Sequence, residues 1–201
     1  MGTGSFGVFK KLVVVMCLLG AVSRDAFADT APWKLLSMAV VMESNSSWTT
    51  EDTTSMIERA NKILSQCQIS LIENPKTVIY FGSLAMDYDS IGIANEFYKQ
   101  LKTPLLFLVE AKQYNGSAGW APGSKYLFVS SYSRSDDYKK IRNPDYEILA
   151  HELGHMLGGL QHLSNEQNLM AGYIANQTAQ LTEAQCNEMR SSGHLNGGNL
   201  F

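Results

Sequence analysis

The chain has 201 residues, 45% of them hydrophobic and 17% charged, with a formal net charge of −3. That length suits one compact domain with a sizeable core rather than two. The weakly acidic balance and the lack of any long basic block exclude nucleic acid and anionic membrane as expected partners.

The first 28 residues read as an export signal. Lys10 and Lys11 precede an apolar run from Leu12 to Val22, and Ala26-Phe27-Ala28 supplies the small-x-small pattern for cleavage after Ala28. The run is shorter than the roughly 20 apolar residues needed to span a bilayer, and nothing later approaches that length. The alternative is a retained anchor. The expected product is residues 29–201, a single soluble domain that is secreted or periplasmic, has no stable membrane insertion and acts as a monomer. Cys17 leaves with the signal, so Cys67 and Cys186 remain, and an even count in an exported chain points to a disulfide. The alternative is two buried thiols.

Trp33 to Glu43, rich in Leu, Val and Met, predicts a buried strand. Thr49 or Thr50 caps a helix whose apolar positions, Met56, Ile57, Ala60, Ile63 and Leu64, recur at helical spacing up to about Cys67. Strands follow at Ile69–Glu73 and Thr77–Phe81, then a helix from Ile91 to Leu101 and an apolar strand from Pro104 to Glu110. Gly116, Gly119, Pro122 and Gly123 around Trp120 predict a loop or an irregular edge strand, and Tyr126–Ser131 a further strand. The charged cluster from Arg134 to Arg142 reads as a solvated loop. A helix begins near Pro144 and Asp145 with Asn143 as its cap, and Thr182-Glu183-Ala184-Gln185 is a capping box that opens a last helix through about Arg190. Strand-helix-strand order followed by helices predicts a mixed α/β (α+β) domain.

Three of the four histidines lie between residues 151 and 162. In His151-Glu152-Leu153-Gly154-His155 the histidines are four apart, so on a helix they project from one face, one turn apart, and can share a metal. Composition alone predicts roughly 0.004 chance occurrences of this pattern. A catalytic zinc takes three protein ligands and keeps one open position, so a third must come from elsewhere. Gly158 and Gly159 can end the helix in a left-handed conformation and return the chain so that His162 reaches the metal; the alternative is a surface histidine just past a helix end. Three neutral imidazoles leave the bound Zn2+ its charge, which brings the pKa of its water toward about 7, and Glu152 is placed to take that water's proton.

The segment from His151 to His162, followed by Asn168-Leu169-Met170-Ala171, resembles the metzincin clan of zinc metallopeptidases. The resemblance implies His151, His155 and His162 as ligands, Glu152 as general base, Gly158 as the turn after the active-site helix and Met170 as the methionine beneath the metal. It also implies a zincin-like fold: a twisted mixed sheet of about five strands over the active-site helix, with a backing helix and a C-terminal helix. A peptide cleft is expected along an edge strand at Gly119, Trp120 and Ala121, with Tyr173 a further cleft or core residue. The family pattern has two residues between its glycine and third histidine, whereas Gly159, Leu160 and Gln161 intervene here. Either Gly159 turns the chain after a longer helix, or the loop bulges by one residue.

The expected activity is hydrolysis of peptide bonds in a protein or peptide substrate by an exported zinc endopeptidase. The rivals are a catalytically silent zinc-binding interaction module and a processing protease dedicated to one partner. An intact Glu152 favours an enzyme, because a structural site has no use for a base. His194, near a Gly- and Asn-rich tail, is expected in solvent. The tripeptides at Asn45, Asn115 and Asn176 fit the N-glycosylation pattern.

Overall fold

The computed structural model describes residues 32–72, 76–80, 82, 88–110, 118–131, 148–165, 167–172 and 179–197. The export signal, the cap at Asn143 with Pro144 and Asp145, the Arg134–Arg142 cluster, Asn115, Asn176 and Tyr173 lie outside them. The fold is mixed α/β: eight strands in two sheets and four α-helices among the described residues. No described helix is long and apolar enough to cross a membrane.

The larger sheet holds β2 (Ala39–Glu43), β4 (Lys76–Tyr80), β5 (Leu105–Val109), β6 (Gly119–Trp120) and β7 (Tyr126–Ser130) in the order β4-β2-β5-β7-β6. Four strands run parallel, and β6 pairs antiparallel with β7 at the edge. Both faces of the sheet are covered, which is why its central strands read as unbroken apolar runs. Alternate residues serve two separate cores. Val40, Met42, Leu106, Leu108, Leu127 and Val129 face one, and Val41, Leu105, Phe107, Tyr126 and Phe128 the other.

The second core is closed by α2 (Tyr88–Leu101), whose Ala94 and Phe97 pack on Phe107 and its neighbours. The first core receives α1 (Thr50–Leu64), α3 (Ile148–Gly158) and α4 (Glu183–Arg190). Helix α1 starts on a capping box, in which the Thr49 hydroxyl accepts from Asp52 N–H and the Asp52 carboxylate accepts from Thr49 N–H. Such a cap contributes about 1 kcal/mol. Helix α3 is central: it packs on α1, α4, β6 and β7, and Leu149 and Leu153 are fully buried. Each such leucine stabilises the helix in place by about 1.5–3 kcal/mol.

One expectation is corrected. Trp33–Glu43 is not one strand: β1 (Lys34–Leu36) belongs to a second sheet, and the chain crosses to β2 at Ser37 and Met38. In that three-stranded sheet β1 lies between β3 (Ile69–Leu71), parallel, and β8 (Leu195–Gly197), antiparallel. The larger sheet has the five strands expected, and this smaller one, built partly from the tail, stands in addition to it. Cys67 and Cys186 are joined across 119 residues, tying the turn after α1 to α4. Beside that bond the Arg190 guanidinium donates to the carbonyls of Cys67 and Pro32.

Candidate metal centre

His151 and His155 project one turn apart from α3, and the chain after the helix returns His162 to them. The three Nε2 atoms form a near-equilateral triangle: 3.1 Å from His151 to His162, 3.2 Å from His155 to His151 and 3.1 Å from His155 to His162. The opposite ring nitrogens fix the tautomers. His151 Nδ1 lies 2.7 Å from the Leu169 carbonyl oxygen and His155 Nδ1 2.5 Å from that of Leu160. A carbonyl can only accept, so both Nδ1 atoms carry the proton and both Nε2 atoms present lone pairs to the triangle.

Lone pairs aimed at one point repel unless a cation sits among them. Two ligands on a tetrahedral ion with 2.0–2.1 Å bonds stand about 3.3 Å apart, close to the edges seen. The donor set fits a divalent metal of the kind imidazole favours, with one side of the triangle left for a further ligand. His151 is buried, His155 half-buried and His162 exposed, so the centre opens on the His162 side. Burial holds the His155 imidazole below its ordinary pKa of 6.5; the Leu160 carbonyl opposes that shift and His162 reinforces it. The half-buried His194 takes no part in the triangle.

The extra residue before His162 is accommodated by the helix. Gly158, expected to turn the chain, is the last residue of α3, and Gly159 makes the turn, at φ +60°. Its N–H donates to the His155 carbonyl, as in a left-handed helix cap, and the Leu160 N–H donates to the Gly154 carbonyl. The spacing of two residues between the turning glycine and the third histidine is thereby kept, and the carbonyl of Leu160, the first residue past the turn, meets His155. The alternative of a bulged loop is not adopted.

Glu152 is 4% exposed and reaches β6. A Cβ placed on Gly119 would lie 2.5 Å from Glu152 Oε1 and 2.7 Å from its Cγ, so the carboxyl group occupies room that only glycine leaves. Strand alternation divides the expected cleft residues. Gly119 abuts Glu152 and Ala121 packs on the same core, whereas Trp120 lies on the opposite face, stacked on Phe128 and edge-on to Tyr88. The Trp120 ring therefore does not face the histidines.

Met170 is fully buried beneath α3, its sulfur against Gly154, between the two helical histidines. A turn holds it there: Asn168 Oδ1 accepts from Met170 N–H, Asn168 O from Ala171 N–H, and Met170 O from Leu163 N–H. Leu169, whose carbonyl orients His151, donates its own N–H to Gln180 O. Sequence reading missed what grips this turn. Asn168 and Gln185, both buried, exchange two side-chain hydrogen bonds of 2.8 and 3.0 Å. Gln185 drew notice only as part of a helix cap.

No family model matches the chain, and no curated protein matches it in sequence. Among solved structures, a chain from the structure of a chaperone–substrate complex superposes with a TM-score of 0.51 at 16% identity. That match covers 74% of this chain and 32% of the other, so this chain spans about a third of that one's length. Archaemetzincin from Methanopyrus kandleri superposes with a TM-score of 0.48, also at 16% identity, covering 77% of this chain and 94% of its own. The first likeness is one of fold alone; what the centre can do rests on the triangle of imidazoles.

Proposed function

We propose that this chain is an exported, monomeric, zinc-dependent endopeptidase acting on proteins or peptides. The observation that carries the reading is the convergence of three imidazole Nε2 atoms within 3.2 Å of one another, two of them with tautomers set by backbone carbonyls. His151, His155 and His162 would hold the ion. When bound, zinc supplies Lewis acidity toward a water and toward the scissile carbonyl.

The remaining work belongs to Glu152. It follows His151 on α3 and packs against Gly119, so its carboxylate can accept the proton of the attacking water and return it to the departing amine. An extended peptide running beside β6 passes that carboxylate, which suits recognition by backbone rather than by one side chain. Burial of Glu152 keeps competing water from the proton's path. The buried disulfide and the N-terminal apolar run support export.

The test is cleavage of a diverse quenched-fluorescent peptide pool by the purified chain, beside Glu152→Ala and chelator-treated protein restored with zinc. Cleavage lost in both and recovered with metal is expected. A folded, zinc-loaded sample that cleaves nothing would refute the general endopeptidase.

A further inference from the structure

The turn that carries Met170 touches the metal centre twice, through the Leu169 carbonyl on His151 and through the Met170 thioether under Gly154. Both are made to residues of α3, from a turn that lies outside that helix. Both depend on where residues 168–171 sit, and the side chain gripping that turn from outside comes from α4. We infer that Gln185 is a positioning residue for the metal centre, acting through Asn168 and the Leu169 carbonyl to set the His151 ring. The inference rests on reading the three histidines as metal ligands.

The amide pair has one possible docking. Met170 N–H donates to Asn168 Oδ1, which fixes that atom as oxygen, and Thr182 N–H donates to Gln185 Oε1, which fixes the other amide. Asn168 Nδ2 must then donate to Gln185 Oε1 and Gln185 Nε2 to Asn168 Oδ1, as observed at 2.8 and 3.0 Å. Both residues are more than nine-tenths buried, so neither amide can exchange its partner for water without opening the core. Helix α4 itself is anchored at the next residue, Cys186, through the disulfide. A path therefore runs from α4 to His151 Nδ1, through the amide pair, the backbone from Asn168 to Leu169, and the Leu169 carbonyl. Groups that orient a metal-binding imidazole govern affinity for the ion as well as ring position.

Gln185 also caps α4, and the two roles separate by substitution. Gln185→Glu keeps an oxygen for Thr182 N–H, since glutamate serves a capping box equally, but removes the donor to Asn168. Thr182→Ala removes the capping hydroxyl and leaves the amide pair. Zinc alone would be titrated into each metal-free protein against a chromophoric chelator, with cobalt(II) absorption as a second readout and thermal melting of the metal-free form as a third. The expected result is about tenfold weaker zinc binding and an altered cobalt spectrum for Gln185→Glu, with parent-like values for Thr182→Ala even where it melts lower. If Gln185→Glu does not fold, Asn168→Asp, which loses the reciprocal donor, is read by the same criterion. Parent-like zinc affinity and cobalt spectrum in the amide variant would overturn the inference and leave Gln185 as a cap. Failure of the parent itself to bind zinc would overturn the metal reading, a different and separately visible outcome.

Discussion

Replacing Gly119 by alanine should uncouple the carboxylate from the histidines. The new Cβ would lie 2.5, 2.7 and 2.8 Å from Glu152 Oε1, Cγ and Cδ. To reach ordinary contact the oxygen must retreat from 2.5 to 3.4 Å, about 0.9 Å, and a buried side chain has little room for that. Overpacking of this kind costs about 1–3 kcal/mol of stability. A general base displaced by about 1 Å loses on the order of 100-fold in rate. Zinc affinity should hold, because no imidazole is among the three atoms nearest that Cβ. The measurements are kcat/KM on a peptide selected from the pool, zinc titration and thermal melting. A folded, zinc-loaded Gly119→Ala protein within threefold of the parent in kcat/KM would refute the assignment of Glu152 as base. Equal losses in zinc affinity and turnover would show instead that β6 supports the ligands.

Exchange of both Cys67 and Cys186 for alanine should cost about 4–5 kcal/mol on the chain-entropy model for so long a loop, read as a lower denaturation midpoint; a loss under about 1 kcal/mol would refute it. Gly159→Ala should lose about 1–2 kcal/mol from its left-handed backbone and weaken zinc binding by moving the Leu160 carbonyl. In contrast, Gly92→Ala, inside α2 with open space around the added methyl, should gain about 0.5–1 kcal/mol; equal effects in urea titrations would count against the turn. With its folded pKa held down by burial, His155 leaves the metal-free protein binding fewer protons than the unfolded chain below about pH 6.5. Its stabilising contribution is thus fully present above that pH and declines as pH falls toward the depressed folded value. Urea midpoints across this range should show a slope that His155→Gln flattens, and an unchanged slope would reject the assignment.

The elements most legible in the sequence were those whose local pattern and tertiary role agree. Leu105–Val109 and Tyr126–Ser130 are buried on both faces and read as continuous apolar runs, and Thr49 and Thr182 announce their helices through side chains that act locally. Apolarity could not reveal that Leu36 and Ala39 belong to different sheets, because both are buried and only their partners differ. Leu195-Asn196-Gly197 carries no strand signal of its own; β1 makes it a strand. At the site, the helical spacing of His151 and His155 foretold their meeting. Which face Trp120 takes depends on the register of β6, and the Asn168–Gln185 clamp joins residues 17 apart through tertiary packing, so neither leaves a local trace.

The left-handed Gly159 bears on how such centres tolerate insertion. One more residue at a helix end swings the exit by about 100° and advances it by about 1.5 Å, enough to throw a downstream ligand off target. Here the reversal sits at Gly159, one residue past the Gly158 that the motif pointed to, and the three-residue stride from Gly159 to His162 lands on the triangle. A tripod grafted onto another scaffold therefore has freedom in the length of its helix, provided the reversing glycine and the stride beyond it travel together.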